Sequence, residues 1–127
     1  MRTKLLTIDV DIREVYGVEG HTCSVNMVCF GGTASGEYFT GKVIGPGVDT
    51  QTITKKQSLL SARYMLEGAD CAGKACRIFI ENSTRDEEGW HPRIVTDSEA
   101  LASWETEKLV ASVDPTETGV LVQIFRA

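Results

Sequence analysis

Apolar and polar residues alternate along most of this chain with a period of two. The first stretch shows the pattern clearly, because Leu6, Ile8, Val10 and Ile12 are separated by threonine or aspartate. Alternation over four to eight residues is typical of a strand with one buried face, since successive side chains point to opposite sides of a strand. Residues 6–12 are therefore predicted to form the first strand.

The same reasoning predicts further short strands. We expect them at residues 22–30, 38–44, 49–54, 58–67, 74–82, 92–96, 107–113 and 119–125. Glycine-rich breaks such as Gly31-Gly32 and Gly45-Pro46-Gly47 separate several of them. The polar stretch at residues 83–91, with its acidic run Asp86-Glu87-Glu88, is predicted to be an exposed loop. Thr96-Asp97-Ser98 can cap one short helix near residues 98–104, because a side-chain oxygen there can accept from free backbone amides.

Many short strands joined by short turns favour an all-β fold. We predict an antiparallel, closed or nearly closed barrel of eight to nine strands, with a sandwich as the alternative. Closure is attractive because it removes exposed strand edges. Val, Ile and Thr number 33 against 11 for Leu and Met, and this excess supports strands because β-branched side chains fit a pleated surface. A length of 127 residues predicts a single domain over residues 1–127.

Charge and hydropathy argue against several classes of partner. The net charge is −5, and the basic residues are scattered singly apart from Lys55-Lys56, so the basic stripe of a nucleic-acid binder is absent. No apolar run approaches the roughly 18–20 residues that cross a bilayer, so we expect no membrane partner. Asp9 and Asp11 interrupt the apolar start of the chain, which argues against a signal peptide and predicts a cytoplasmic protein.

The order of several landmarks resembles that of a known protein family. These landmarks are Gly31-Gly32-Thr33, Gly36, Gly41, Gly45-Pro46-Gly47, Asp49-Thr50-Gln51, Ala62-Arg63-Tyr64-Met65-Leu66, Gly68-Ala69-Asp70, Ile78, Ile80-Glu81-Asn82, Pro92 and Trp104. Over nearly its whole length the chain resembles the bacterial family called domain of unknown function 3237, also uncharacterised protein family 0311. The loop at residues 83–91 and the aromatic region before the helix depart from the family pattern. The resemblance implies a small β-barrel and brings no established activity.

Polar residues on inward-facing strand positions are the best candidates for function, because an eight-stranded barrel can hold one small ligand. Asp49 and Gln51 share one face of a predicted strand, and Arg63 lies on the next strand, so the three are expected to meet. Arg63 would anchor a substrate through its planar fork of donors, and Gln51 would orient it. Asp49 would act as general acid or base if burial raised its pKa. The alternative is a structural Asp–Arg pair, or side chains that face solvent.

Three further residues are candidates for ligand binding. Tyr64 has the strand parity of core positions, and Asn82 ends a strand where it can line the barrel mouth or cap a turn. Trp104, on the short helix, can plug one end of the barrel or pack in its core. Trp90 and His91 can form a rim. No metal or cofactor is predicted, since no ligand or nucleophile motif occurs.

Two functional hypotheses follow from these observations. The first is a barrel that binds a small polar or anionic molecule, with cofactor-free isomerase, cyclase or hydrolase activity left open. The second is a non-catalytic binding or self-assembly module, which would use outward apolar positions such as Leu59, Met65, Leu121 and Phe125. A homo-oligomer, with a dimer favoured, is expected under either hypothesis.

Overall fold

The strands of this protein form a closed antiparallel barrel in which each strand pairs with its neighbours along the chain and β8 returns to β1. The computed structural model describes residues 2–85 and 89–127. Its strands are β1 (Thr3–Glu19), β2 (Ser24–Ser35), β3 (Phe39–Ile53), β4 (Ser58–Asp70), β5 (Ala75–Arg85), β6 (Trp90–Thr96), β7 (Leu109–Pro115) and β8 (Gly119–Arg126). A short 3-10 helix, η1 (Ala102–Glu105), lies between β6 and β7. The predicted all-β barrel is therefore confirmed.

The barrel has eight strands, one fewer than the nine predicted segments, because two of those segments form a single strand. The segments at 38–44 and 49–54 join into β3, whose register shifts between Ile44 and Val48. A bulge of this kind lets the chain kink without leaving the sheet. Gly45 has a φ of 65°, which glycine adopts at little cost, and Pro46 needs no ladder partner at a bulge. The glycine–proline–glycine break is therefore a bend within one strand.

The predicted loop and helix differ in extent from the observed structure. Ser83 and Thr84 continue β5, and Trp90 and His91 begin β6, so strand pairing extends well into the predicted loop at 83–91. The acidic run at residues 86–88 lies outside the described residues. The helix is a single 3-10 turn at Ala102–Glu105, later than the predicted start at residue 98.

One end of the barrel, which we call the closed end, is filled with apolar side chains. Fully buried inward residues from the strands occupy it: Leu6, Ile8, Phe39, Leu66, Ile78, Ile80 and Ile124. The segment before and within η1 adds Leu101 and Trp104, which are also buried. The Trp104 ring packs edge-on against Tyr38 with centroids 6.0 Å apart. The segment that carries η1 therefore helps to close this end of the barrel.

A polar cluster fixes the closing segment in place. Ser98 Oγ donates to Asp70 Oδ2 at 2.7 Å, and it accepts from the backbone N–H of Leu101. The other Asp70 oxygen accepts from the backbone amides of Ala72 and Lys74. Every oxygen of this buried carboxylate is thus hydrogen-bonded, as buried polar groups require.

The opposite end, which we call the open end, is built differently. Most of the large apolar side chains that are exposed in the described residues lie there, including Ile12 and Val15 on the last half of β1. The pairing between β6 and β7 is also short, since their only registered pair in the described part of the chain joins Trp90 to Ala111.

No helix in the described ranges is long and apolar enough to span a membrane.

Candidate functional site

An interior cavity of about 430 Å³ lies toward the open end of the barrel. This volume falls in the range of roughly 300–1,000 Å³ that is usual for small-molecule pockets. Most of its lining is aliphatic or aromatic. Four polar side chains also line it, and all four were predicted as site residues: Asp49, Gln51, Tyr64 and Asn82.

The register of β3, β4 and β5 brings these polar residues together. Asp49 pairs with Ala62, and Ala62 pairs with Asn82, so the three lie side by side in one row across the sheet. Registered neighbours on antiparallel strands point to the same face, so Asp49 and Asn82 flank the small side chain of Ala62. Gln51 and Tyr64 are each two residues further along their strands and share that inward face. The β3–β5 wall is therefore the polar side of the cavity.

The wall that faces these strands is apolar. It is formed by β1, β7 and β8, whose cavity-lining residues are Val10, Ile12, Val15, Val113, Val120 and Val122. The rings of Phe30, Tyr64 and Trp90 also line the space. Phe30 and Tyr64 pack edge-on with centroids 5.3 Å apart. The cavity thus has one polar wall and one apolar wall, which suits a molecule with one polar edge.

Three polar atoms in the cavity wall have no hydrogen-bond partner. They are Asp49 Oδ1, the Tyr64 hydroxyl and Asn82 Oδ1. Tyr64 is only 5% exposed and Asn82 only 2%. The other Asp49 oxygen accepts from Gln51 Nε2 at 3.2 Å, which fixes the carboxylate. Buried polar atoms without partners are rare in folded proteins and call for an explanation.

The fourth unpartnered atom in the described residues differs from these three. It is Glu107 Oε2, which lies away from the cavity, and the other oxygen of that carboxylate accepts from Arg126 at 2.9 Å. Glu107 is therefore part of an ion pair, whereas the other three atoms belong to residues that line a space large enough for a ligand.

The cavity also changes the proton affinity of two groups. Burial raises the pKa of the Asp49 carboxyl above its ordinary range, although Gln51 and the backbone of Ser61 act in the opposite direction. Burial also raises the pKa of Tyr64, so its hydroxyl stays protonated at physiological pH. Asp49 is therefore closer than an exposed aspartate to exchanging a proton near neutral pH.

Arg63 does not join this group, and the predicted meeting of Arg63 with Asp49 and Gln51 is wrong. Its side chain is 67% exposed on the outside of the barrel, where its Nε donates to Glu81 Oε2 at 2.9 Å. The physical reason is strand alternation: Arg63 lies between Ala62 and Tyr64, which both face the cavity, so it must face outward. No Lys, Arg or His is among the described residues that line the cavity.

Trp104 does not line the cavity either, since it lies in the core of the closed end. The tryptophan at the cavity is Trp90, which sequence reasoning placed only at a rim. A signal for it existed in the alternation along β6, where Pro92 and Ile94 are buried and Trp90 has the same parity. Its level along the barrel axis depends on the pairing of β5 with β6, which the sequence pattern does not reveal.

A second depression lies on the outer wall and has a volume of about 640 Å³. Hydroxyl residues such as Thr50 and Ser61 line it, together with the Arg63–Glu81 ion pair. None of the unpartnered buried atoms belongs to it. In residues 2–85 and 89–127, no three His, Cys, Asp or Glu side chains gather where they could hold a metal ion. The interior cavity is therefore the better candidate site.

Comparison with known proteins supports the fold. No family model and no curated protein matches this chain, so membership of domain of unknown function 3237 stays a prediction. A protein of unknown function from Clostridium acetobutylicum is similar, with a TM-score of 0.82 and 19% identity over 99% of this chain and 95% of that one. A β-barrel-like protein from Acinetobacter baumannii has a TM-score of 0.75 and 15% identity, covering 99% and 94%. An enzyme from Penicillium herquei has a TM-score of 0.74 and 16% identity, covering 100% and 94%. At these identities the likeness shows a shared barrel fold.

Proposed function

We propose that this protein binds a small, largely apolar molecule in the cavity, with the polar edge of the molecule against the β3–β5 wall. The observation that carries the proposal is the set of three unpartnered polar atoms on Asp49, Tyr64 and Asn82. Each atom belongs to a residue that lines an otherwise apolar space, and a ligand with matching polar groups would supply the missing hydrogen bonds.

The sequence predicted a polar or anionic ligand, and of these the cavity favours a neutral or cationic polar group over an anion. That expectation depended on Arg63, whose guanidinium lies outside the barrel. The one ionisable carboxylate in the described lining is Asp49, and it would repel an anion. The proposed ligand is therefore polar at one edge but carries no negative charge there.

Asp49 is the residue that would perform chemistry on such a ligand. A general acid or base works best when its pKa lies near the operating pH, and burial moves the pKa of Asp49 in that direction. Gln51 would hold the carboxylate in place, while Tyr64 and Asn82 would hold the ligand. Isomerisation, cyclisation and hydrolysis can each proceed through such a proton transfer without a cofactor. The similar barrel from Penicillium herquei is described as an enzyme, which makes catalysis on this scaffold a reasonable extension.

The binding proposal can be tested with two neutral or cationic aromatic molecules, 2-phenylethanol and protonated 2-phenylethylamine. Ala62→Phe should weaken binding of either at least tenfold, because the new ring would fill the space between Asp49 and Asn82. Arg63→Ala, the next residue on the same strand, is the matched control and should leave affinity unchanged because it faces outward. Isothermal titration calorimetry measures the dissociation constants. Absence of binding to the unmodified protein, or equal binding by the Ala62→Phe variant, would refute the proposal.

A specific feature also supports the alternative, a self-assembly module. Tyr16 pairs with Met27 across β1 and β2 near the open end, and both are exposed large apolar side chains, as is the neighbouring Val18. By contrast, the predicted positions Leu59, Met65, Leu121 and Phe125 are half-buried. Sedimentation equilibrium of the unmodified protein and of Tyr16→Ser tests this proposal. Dimers that dissociate more readily in the variant would support it, and a monomer at high concentration would contradict it.

A further inference from the structure

The unpartnered atoms in the cavity share one property: each can accept a hydrogen bond. The carboxylate oxygen of Asp49 and the amide oxygen of Asn82 are acceptors only, and the Tyr64 oxygen accepts as well as donates. A hydroxyl group offers a single donor, whereas a primary ammonium offers three. The missing partner is therefore best matched by a group rich in N–H donors.

The register of the polar wall places the residues that carry these acceptors beside one another. Asp49 and Asn82 lie on either side of Ala62, two strand spacings apart, which puts their Cα atoms about 10 Å from each other. Asp49, Ala62 and Asn82 all line the cavity, and Ala62 places only a methyl group between the other two. Tyr64 faces the same space from the next inward position of β4. The three acceptor-bearing residues thus belong to one continuous patch of the cavity wall.

The charge of the wall points to the same chemistry. Asp49 is the one carboxylate in the described lining, and no cationic side chain there balances it. Its registered neighbours are Val28 on β2 and Ala62 on β4, which offer no charge. A half-buried carboxylate in such surroundings is costly unless an opposite charge pairs with it. An ammonium group would provide that charge, whereas a hydroxyl would leave it uncompensated.

The aromatic residues complete the site. Phe30, Tyr64 and Trp90 all line the cavity. Faces of aromatic rings attract organic cations, and they also pack well against flat apolar bodies. We infer that the ligand of this cavity is a protonated organic amine with an apolar, preferably aromatic, body. This inference rests on the proposed binding function and names the class of ligand for that site.

Three compounds with nearly the same skeleton test the inference: protonated 2-phenylethylamine, 2-phenylethanol and 3-phenylpropionate. Isothermal titration calorimetry at pH 7 should show the amine binding at least tenfold more tightly than the alcohol, with the carboxylate weakest. Asp49→Asn should reduce amine affinity at least tenfold and leave alcohol affinity within about twofold, because only the charge pairing is lost. Glu81→Gln is the control, since that carboxylate faces outward and pairs with Arg63 and Arg93. It should leave amine affinity unchanged.

The outcomes distinguish failure of the amine assignment from failure of the binding function on which it rests. Equal affinity for amine and alcohol, or undiminished amine binding by Asp49→Asn, would overturn the amine assignment while cavity binding stood. Loss of amine binding in Glu81→Gln would place the amine on the outer wall and would also overturn it. If none of the three compounds bound the unmodified protein at millimolar concentration, both the amine assignment and the binding function would fail.

Discussion

The closed and open ends of this barrel are made from the same strands but satisfy opposite requirements. At the closed end, inward apolar residues pack completely, and the carboxylate of Asp70 accepts bonds from Ser98 and two backbone amides. At the open end, Asp49 has one unpartnered oxygen and faces a cavity. Hydrogen bonds lower the pKa of Asp70, whereas burial raises that of Asp49. The contrast distinguishes a carboxylate whose oxygens are all hydrogen-bonded from one that retains an unpartnered oxygen beside a cavity.

The largest expected difference in stability between the two ends concerns two leucines on β4. Leu66→Ala at the closed end should lower the free energy of unfolding by about 2–5 kcal/mol, because Leu66 is fully buried and its loss leaves a cavity. Leu60→Ala should cost only about 1 kcal/mol, since Leu60 is half-buried beside a space that already exists. Denaturant unfolding followed by circular dichroism measures both. Equal losses would contradict the distinction between the two ends.

A second test uses Asp70 at the closed end. Its lowered pKa means that the ionised form stabilises the fold at pH values above the ordinary aspartate pKa of about 3.9. Asp70→Asn should therefore lower the melting temperature at pH 7, because an amide cannot replace all the accepted bonds. The deficit should shrink as the pH falls through the lowered pKa and the unmodified carboxylate becomes protonated. Thermal unfolding between pH 2 and pH 7 checks this, and a deficit independent of pH would count against it.

Asp49→Asn should behave in the opposite sense. Its raised pKa means that ionisation weakens the fold, with a penalty that is absent below about 3.9, grows above that pH and is complete above the folded-state pKa. The amide should therefore raise stability at pH 7, by less than about 1 kcal/mol because Asp49 is partly solvated. The gain should vanish in acid. A loss of stability at pH 7 would show that Asp49 is a structural residue.

The smallest expected effect is at Arg63, on the outer wall between the two ends. Arg63→Ala should change the free energy of unfolding by less than about 0.5 kcal/mol, because the ion pair with Glu81 is exposed. Glu81 also keeps a second partner, Arg93, at 3.3 Å. Chemical denaturation of the variant measures the change. A loss above about 2 kcal/mol would assign Arg63 the structural role that the sequence left open.

The alternation of inward and outward residues along the strands made the barrel and most of the cavity residues predictable from the sequence. A period of two identifies inward positions, which is enough to expect a barrel and to select Asp49, Gln51 and Tyr64, whereas Asn82 was selected because it ends a predicted strand. The same alternation excludes Arg63 from the cavity once Tyr64 faces inward, because adjacent residues of a strand point to opposite faces.

Other features depend on information that alternation does not carry. Gly45 continues β3 through a bulge, although a glycine beside a proline usually marks a turn. Whether Trp90 or Trp104 reaches the cavity depends on the level of each residue along the barrel axis, and that level is set by register between strands. The unpartnered atoms of the polar wall are likewise visible only when the packing around them is known.

The two tryptophans provide the most direct test of the central claim, because the chain has only these two and the structure places them at opposite ends. In a ¹⁵N–¹H correlation spectrum each gives one indole N–H signal, assigned with Trp90→Phe and Trp104→Phe. Adding 2-phenylethanol or protonated 2-phenylethylamine should shift the Trp90 signal in a saturable manner and leave the Trp104 signal in place. Saturable shifts confined to Trp104, or no shift of either signal at millimolar ligand, would contradict binding in the open-end cavity.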